Sequence, residues 1–454
     1  MNKLRTLVLS CLIASTAMGQ NEFNNWFFGV GNGLNFSTPT PTLITGSPIN
    51  QTEGVAAISD ASGNLLFYTS GVNVYDRNHN IMLNGSGLLG DISSTQSAVI
   101  VQKPLSTNIF YIFTSDADIG TDGIRWSEVD INLNGGLGAV TANKNILLQS
   151  LSCEKLCAVR HCNGRDIWVI SHDWNASTFR TWLVTSAGIS APILSSAGYV
   201  PTAVNQIAYG QLKSNRTGNK LAAAYFGLTG QTAGNRVEVY DFNNTTGIVS
   251  NVLSLGNVNG AYGVEFSNSG KYLYCATNQG QLYQWDLCAA SVSGSKFLLS
   301  NMGAFGGSLQ IAPNGKIYIA RGTNTFLSSI SFPEVYGFGC FFTNFAINLN
   351  GFSRFGLPNF PSYYQPPTPP TINITQNGCN NFCLSYNPQQ SCINQSVSYK
   401  WVFNDGQIIQ NQTACKSITS TQNVLLLSTY PCTTDTTIVN LSFNSGISTI
   451  LIIN

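Results

Sequence analysis

One short pattern constrains the fold of this chain more than any other: a Gly or Asn followed by a run of β-branched and aromatic residues. The pattern recurs at intervals of 45 to 56 residues, beginning at Gly63, Asn108, Gly164, Gly218, Gly270 and Gly315. Periods of about 40–50 residues with strand patterning are typical of β-propeller blades. No stretch of about ten residues shows the apolar spacing of a capped helix. The sequence therefore predicts an all-β protein that contains a β-propeller.

One repeat can be divided into strands from its turns alone. The predicted strands are residues 262–266, 271–277, 281–287 and 296–300. Turn residues, among them Gly270 and Gly280, separate these runs. Four antiparallel strands in about 45 residues make up one blade.

Six such units fit within the chain, and two pieces of sequence remain outside them. The units begin near residues 54, 95, 153, 203, 260 and 306. Residues 355–360 resemble the first strand of the preceding unit, and residues 25–36 resemble the strands that should follow it. A blade built from both pieces would close the ring and hide its edge strands. We therefore predict a seven-bladed β-propeller over residues 20–364.

The first residues predict export. Lys3 and Arg5 precede a short apolar run over residues 7–17, and Ala17-Met18-Gly19 forms a small-residue cleavage site. Residues 1–19 are thus predicted to be a signal peptide, and the protein is predicted to be secreted or associated with the cell surface. No later segment of the sequence reaches transmembrane length.

The last part of the sequence predicts a second, smaller domain. Residues 365–370 form a Pro-rich linker, and residues 371–454 are predicted to be an Ig-like or PKD-like β-sandwich. Eleven of the 12 Cys follow the signal peptide, which suits an oxidising compartment. Five of them lie in the last domain, and we predict at least one disulfide within residues 379–432.

The charge of the chain limits the classes of partner. Only 9% of the residues are charged and the net charge is +1, so nothing indicates a nucleic-acid-binding surface or attachment to anionic lipid. No local motif predicts a catalytic centre or an organic cofactor.

Three carboxylates, which alternate along the chain together with Gly120, form a candidate calcium site. Asp116, Asp118 and Asp122 are spaced like the ligands of a calcium loop, although Ser127 stands where an EF-hand has its bidentate Glu. The alternative is an acidic turn, because Asp and Gly are ordinary turn residues. Calcium is therefore a possible cofactor.

The His and Cys residues between positions 153 and 173 have structural interpretations. A zinc site could be drawn from residue types alone, with Cys153, Cys157, His161 and Cys162 as ligands. However, residues 156–161 are predicted to be extended. Such a strand spans about 17 Å and separates Cys157 from Cys162. Asp173, adjacent to His172 on a strand, is expected to point to the opposite face.

Several longer motifs support a family resemblance. They are residues 25–29, 33–36, 64–69, 93–98, 133–138 and 356–360, with the short runs Glu53-Gly54, Ile58-Ser59-Asp60 and Glu154-Lys155-Leu156. Over residues 24–364 the chain resembles the N-terminal β-propeller region of PKD-domain-containing, type IX-secreted surface proteins of Bacteroidota, many of them associated with gliding motility. Trp401-Val402-Phe403-Asn404-Asp405-Gly406 is similar to the Trp-x-Phe-Gly-Asp-Gly strand and turn of a PKD module, with Asn404 in place of a Gly. The resemblance implies export by the type IX route.

These observations favour a non-catalytic binding or adhesion protein that recognises an extracellular glycan or a surface protein. One alternative is an enzyme acting on extracellular polysaccharide with its site in the propeller channel, which carboxylates converging in a deep pocket would favour. Another is a structural subunit of a surface filament, which exposed edge strands in the terminal domain would favour.

Overall fold

A computed structural model describes residues 21–228, 230–231, 233–303, 305–362, 370–376, 380–387, 397–429, 434–443 and 448–453. The predicted signal peptide and all of the predicted linker but Pro370 lie outside these residues. Within them, helical structure is confined to Leu133–Gly136 and four short 3-10 turns, Asn21–Phe23, Asn205–Ala208, Ser293–Ser295 and Gly337–Cys340. None of these helices is long or apolar enough to cross a membrane. The prediction of an all-β protein is confirmed.

Six sheets follow one another between residues 25 and 348. The first sheet contains β1 (Asn25–Phe28), β2 (Asn32–Asn35) and β3 (Thr42–Ile44). The second contains β4 (Ala56–Ser59), β5 (Leu65–Thr69), β6 (Asn73–Asp76), β7 (Ile81–Ser86), β8 (Ala98–Gln102), β9 (Ile109–Ser115), β10 (Ile124–Asp130), β11 (Ala139–Val140) and β12 (Ile146–Gln149). It consists of two antiparallel groups, which are joined by the parallel pairing of Ala139 with Leu83.

The next four sheets are antiparallel meanders. The third contains β13 (Ser152–Arg160), β14 (Ile167–Asp173), β15 (Thr178–Thr185), β16 (Gly188–Ile189) and β17 (Ile193–Ser196). The fourth contains β18 (Leu212–Ser214), β19 (Lys220–Tyr225), β20 (Arg236–Asn243) and β21 (Ile248–Asn257). The fifth contains β22 (Ala261–Phe266), β23 (Tyr272–Thr277), β24 (Gln281–Asp286) and β25 (Phe297–Asn301), and the sixth contains β26 (Gly306–Ile311), β27 (Ile317–Arg321), β28 (Phe326–Ile330) and β29 (Phe342–Asn348).

The repeated glycines make the tight turns of these meanders. Gly270 and Gly315 adopt φ of 76° and 78°, the left-handed region that side chains with a Cβ rarely enter. Each donates its N–H back across the turn, to the carbonyl of Ser267 and of Ala312 respectively. Gly63, Gly164 and Gly218 also have positive φ, so the glycine recurs because most of the first hairpins need the same backbone conformation; Asn108 is the exception.

The first strands of successive groups lie side by side, from β4 through β8, β13, β18, β22 and β26. We call them the inner strands. They are buried along nearly their whole length. Antiparallel meanders arranged around such strands form a propeller-like fold.

Residues 352–362, which we call the channel segment, pass between the inner strands. The N–H of Ser308 donates to the carbonyl of Phe355 at 2.7 Å, and the N–H of Asn359 donates to the carbonyl of Val55 at 2.8 Å. Further along, the N–H of Ser362 donates to the carbonyl of Ala158 at 2.7 Å. The segment thus contacts inner strands or their flanks on both sides.

The channel segment also contacts the first sheet. The N–H of Val30 donates to the carbonyl of Phe352 at 3.0 Å, and the rings of Trp26 and Phe360 lie with centroids 6.0 Å apart. The two sequence pieces assigned to a seventh blade therefore lie in contact, and the number of seven blades stays a prediction.

Buried amide side chains join the inner strands to one another. Gln96 accepts from the N–H groups of Leu156 and Leu212 at 3.2 and 2.7 Å. In the same way Gln211 accepts from the N–H groups of Val264 and Leu309 at 3.1 and 2.9 Å. Each amide bonds two inner strands at once, so these polar side chains are satisfied although they are buried.

The last part of the chain forms two further sheets. Their strands are β30 (Thr371–Gln376), β31 (Asn381–Asn387), β32 (Ser398–Phe403), β33 (Ile408–Ile409), β34 (Thr413–Ser417), β35 (Gln422–Thr429), β36 (Thr434–Leu441) and β37 (Ser448–Ile453). One sheet is β30-β31-β34 and the other is β33-β32-β35-β36-β37. The two share a core around the fully buried Trp401, and a disulfide joins Cys383 to Cys415. The predicted disulfide within residues 379–432 is present, whereas the Ig-like or PKD-like assignment stays a prediction.

Candidate functional site

Acidic and aromatic side chains converge where the inner strands begin. Glu53 precedes β4, Glu154 is the third residue of β13 and Tyr262 is the second residue of β22. Asp91 and Asp118 come from loops of the second sheet, and Tyr209 precedes β18. We call this site the acidic mouth and define it by the residues Glu53, Asp91, Asp118, Glu154, Tyr209 and Tyr262.

Glu154 is the fully buried acid of the mouth. Its Oε2 accepts from the N–H and the hydroxyl of Thr95, both at 2.8 Å, and its Oε1 accepts from the N–H of Asp118 at 2.9 Å. Burial outweighs these hydrogen bonds and raises the pKa of Glu154 to about 7. Glu154 thus takes up a proton more readily than an exposed glutamate does.

The mouth is continuous through hydrogen bonds between loops of different sheets. The N–H of Gly210 donates to the hydroxyl oxygen of Thr95 at 3.2 Å, and the hydroxyl of Tyr209 donates to the carboxylate of Asp118. On the other side, the N–H of Gly54 donates to the carbonyl of Ser94 at 2.9 Å. These bonds link the loops that carry Glu53 and Asp118 to the loop of Thr95, which binds Glu154.

Glu53 is the partly exposed acid beside Glu154. Burial, followed by repulsion from Glu154, raises the pKa of Glu53 well above its ordinary value. The phenol of Tyr262 lies beside Glu53 and Thr95, but its hydroxyl makes no hydrogen bond of normal geometry and its ring is only 2% exposed. The Tyr262 hydroxyl thus lies in a buried position within reach of Glu53 and Thr95, and its interaction with Glu53 favours the ionised form of that carboxyl.

Within the part of the chain that the structure describes, no basic side chain lies at ion-pair distance from these acids, although Lys155 acts on Glu154 through space and favours its ionised form. Of the ion pairs among the described residues, none includes Glu53, Asp91, Asp118 or Glu154. Lys155 follows Glu154 in sequence, but its Nζ donates to the carbonyls of Ala208 and Tyr209 at 3.0 and 2.9 Å. Burial lowers the pKa of Lys155 to about 8.

The predicted calcium ligands do not point to one centre. Asp116 accepts from the N–H groups of Ala117 and Asp122 at 2.9 and 3.0 Å, so its carboxylate closes its own turn. Asp118 accepts from Tyr209, and Asp122 pairs with Arg125 at 3.1 Å. Within the described part of the chain, no three His, Cys, Asp or Glu side chains gather closely enough to hold a metal ion. Calcium binding at this loop stays a prediction.

His172 is buried and held by its own strand. Its Nδ1 lies 2.7 Å from the carbonyl of Asp173, and burial lowers the pKa of the ring to about 3. The carboxylate of Asp173 instead binds Arg180, with distances of 2.7 and 3.0 Å. The prediction that His172 and Asp173 face opposite sides is confirmed.

The candidate zinc ligands are likewise separated. Cys153 and Cys157 are free, buried thiols on β13, whereas Cys162 is part of a disulfide. Cys157 and Cys162 therefore do not pair with each other, as their spacing predicted. His161 lies in the turn just beyond β13 rather than on a strand, and its Nδ1 accepts from the N–H of Asn163 at 3.0 Å.

At the other end of the inner strands lies a small cavity of about 40 Å³. Lys213 and Glu265 line it and pair with each other at 3.5 Å, and Phe360 and Ser362 of the channel segment form one of its walls. The charges in this cavity are paired, in contrast to those of the acidic mouth.

Sequence reasoning found only Asp118 among the residues of the mouth. Glu53, Glu154 and Tyr262 come from different repeats, so no local spacing connects them. A usable signal was present nonetheless: Glu53 and Glu154 both stand at the start of predicted first strands. Charged residues at equivalent ends of neighbouring inner strands converge when those strands are parallel.

Comparisons with known proteins assign neither a family nor an activity. No family model matches the chain, and no curated protein matches it. Among solved structures, a provisionally assigned 6-phosphogluconolactonase of Bacteroides uniformis ATCC 8492 is 12% identical, with 87% of this chain and 98% of that chain covered and a TM-score of 0.39. Kluyveromyces lactis Hsv2 is 10% identical over 68% of this chain and 90% of that chain, with a TM-score of 0.38. The β-propeller domain of Cps50 (Swd1) from Myceliophteria thermophila is 11% identical over 66% and 94%, with a TM-score of 0.36.

Proposed function

We propose that this protein is a secreted or cell-surface binding module that recognises an extracellular ligand at the acidic mouth without chemical turnover. The observation that carries the proposal is the filled channel. Residues 359–362 of the channel segment cross between the inner strands, where a propeller enzyme would need room for substrate. The Nδ2 of Asn359 donates to the carbonyls of Ala98 and Leu156, and the hydroxyl of Ser362 donates to the carbonyl of Ser214. Binding is therefore restricted to the outer end of the channel, where Asp118 is exposed and Glu53 and Tyr209 are partly exposed.

The proposal includes a closed ring of seven blades. In this arrangement residues 352–358 of the channel segment form the inner strand of the seventh blade, beside Ser308 and Val55, and β1, β2 and β3 are its outer strands. The hydrogen bond from Val30 to Phe352 and the bond between Asn32 Nδ2 and the carbonyl of Phe352, at 2.8 Å, support this pairing. A closed ring leaves no inner edge to aggregate and gives the mouth a rigid frame.

Placement outside the cell rests on the predicted signal peptide and on the disulfides. Cys383 is bonded to Cys415, and Cys162 and Cys288 are also disulfide-bonded. Such bonds form and persist in oxidising compartments. Export by the type IX route and the PKD-like nature of the last domain are proposed from the sequence resemblance alone.

One observation favours an enzyme as the second candidate. Glu53 and Glu154 are neighbouring carboxyls with raised pKa values, and paired carboxyls of this kind perform acid–base chemistry in glycoside hydrolases. Against this role, Glu154 is fully buried and both of its oxygens accept hydrogen bonds from Thr95 or Asp118.

The two functions can be separated with the purified full-length chain. It would be incubated with a panel of extracellular polysaccharides and surface-protein fragments, and both saturable binding and product release would be measured. Saturable binding without turnover supports the proposal. Turnover that Glu53→Gln and Glu154→Gln each abolish, but Glu334→Gln does not, would replace it with the enzyme.

A further inference from the structure

We propose that Lys213 and Gln310 form an intramolecular isopeptide bond, with Glu265 as the group that moves the proton. In such a bond the side-chain nitrogen of the lysine is joined as an amide to the side-chain carbonyl carbon of the glutamine. The three residues line the cavity at the far end of the inner strands from the acidic mouth. The inference is therefore independent of the proposed binding function.

Three successive inner strands carry the three side chains. Lys213 lies on β18, Glu265 on β22 and Gln310 on β26. Gln211, two residues before Lys213, bonds both β22 and β26 through its side-chain amide. The three strands are thus joined to one another directly beside the proposed bond.

The reacting atoms are close together. The Nζ of Lys213 donates to the Oε1 of Gln310 at 2.5 Å and lies 3.5 Å from the Oε2 of Glu265. Because a C=O bond is about 1.2 Å long, the carbonyl carbon of Gln310 lies within about 3.7 Å of this Nζ. The distance for attack is about 3–3.5 Å, so only a small side-chain rotation is needed. The Nε2 of Gln310 donates to the carbonyl of Ile311 at 3.0 Å and so faces away from the lysine.

Burial favours the protonation states that the reaction needs. The side chains of Lys213 and Glu265 are each 5% exposed, and Gln310 is 6% exposed. Burial lowers the pKa of Lys213 and raises the pKa of Glu265. One proton transfer from the ammonium to the carboxylate then gives a neutral amine, which is a nucleophile, and a neutral acid. The thiol of Cys157, which Lys213 also influences, does not compete as a thiolate because burial raises its pKa to about 12.

The reaction balances without any further reagent. The Lys213 nitrogen attacks the carbonyl carbon of Gln310 while the acid of Glu265 donates a hydrogen bond to the carbonyl oxygen. Glu265 then carries one proton from the attacking nitrogen to Nε2; the bond between Nε2 and the carbon breaks, and ammonia leaves. The cavity of about 40 Å³ has room for a leaving molecule of the size of water. Glu265 ends in its initial state, and no group is oxidised or reduced.

Peptide mapping of the purified full-length chain tests for the bond. Trypsin does not cleave after a modified lysine, so residues 181–216 should be recovered joined to residues 297–316 in one branched peptide. We expect this peptide to survive reduction and denaturation and to be lighter than the two linear peptides together by one molecule of ammonia. Recovery of both regions only as linear peptides, with cleavage after Lys213, would overturn the inference, because a hydrogen-bonded network without a covalent bond gives that result.

Variants test the assigned roles. Glu265→Gln keeps the size of the side chain but cannot carry the proton, and Gln310→Met keeps the length but removes the carbonyl carbon. Each should abolish the branched peptide. The control Glu334→Gln changes an acid that accepts hydrogen bonds from Ser267 and Ser269, and it should leave the yield of branched peptide unchanged. A parent-level yield in Glu265→Gln would overturn the proposed chemistry.

Denaturing electrophoresis under reducing conditions gives a second measurement. A bond between Lys213 and Gln310 joins residues 97 positions apart, so the unfolded parent chain contains a closed loop and should migrate ahead of Gln310→Met. Equal migration of the two chains would contradict the bond. Mapping of the parent chain needs no variant, so the inference can be refuted even if a substitution prevents folding.

Discussion

Asn359 of the channel segment is expected to be among the most important side chains for stability. It is 2% exposed, and its Nδ2 donates to the carbonyls of Leu156 at 2.8 Å and Ala98 at 3.3 Å. Its Oδ1 accepts from Gln96 at 3.3 Å. One amide thus bonds the inner strands β8 and β13 to the segment between them.

The substitution Asn359→Ala removes both donors from a site that water does not reach. Each buried carbonyl that loses its donor costs about 1–3 kcal/mol, and Gln96 keeps another acceptor in the carbonyl of Leu212. The shorter bond to Leu156 should account for the larger share. The free energy of unfolding should therefore fall by about 2–5 kcal/mol. Asn359→Asp should cost at least as much, because a carboxylate offers no donor and would face two carbonyl oxygens.

Urea unfolding followed by tryptophan fluorescence would measure this change. Six of the 7 Trp precede residue 300, so the signal reports mainly on the propeller-like region. Asn350→Ala, at an exposed position ahead of the channel segment, serves as the matched control and should change stability little. An unfolding free energy for Asn359→Ala within about 0.5 kcal/mol of the parent would refute the view that this amide holds the inner strands together.

Three further predictions concern other parts of the chain. Deleting residues 25–36 should uncover the channel segment and abolish cooperative melting, and a deletion variant that melts like the parent would argue against ring closure. Non-reducing peptide mapping should find Cys383 joined to Cys415, and replacing both with Ser should destabilise the last domain by about 3–4 kcal/mol for a loop of 32 residues; free thiols at both positions would contradict this. Because burial lowers the pKa of His172 from 6.5 to about 3, the unfolded chain alone takes up this proton between those values. Protonation of this ring in the unfolded chain should therefore lower the free energy of unfolding by up to about 1.4 kcal/mol for each pH unit of acidification. If the free energy of unfolding of His172→Gln has the same slope against pH as that of the parent, the effect is excluded.

The strands were predictable because their signals are local. The strand predicted at residues 262–266 is observed at Ala261–Phe266, and the strand predicted at residues 281–287 is observed at Gln281–Asp286. Each boundary is set by a turn residue close in sequence, such as Gly270 or Gly280, so no knowledge of distant contacts is needed.

The site was less predictable because its residues meet only through the fold. Asp116 and Asp122 attracted notice by their spacing, yet the structure gives each a partner within its own turn. Glu53 and Glu154 lie in different sheets, and only the parallel arrangement of inner strands brings them together. Lys155 follows Glu154 in the sequence and could have formed an ion pair with one of the acids. In the structure its ammonium donates to the carbonyls of Ala208 and Tyr209, and the position of Lys155 on β13 did not predict these hydrogen bonds.

The channel segment also sets the order of events during synthesis. Its contact with Asn32 joins residues 320 positions apart, so the first sheet acquires these bonds only after nearly the whole propeller-like region has been made. Contacts of such long range form slowly, because the loop between them must close first. For a chain that crosses a membrane unfolded, as the predicted signal peptide implies, late closure is an advantage. The last contact to form can then coincide with arrival outside the cell.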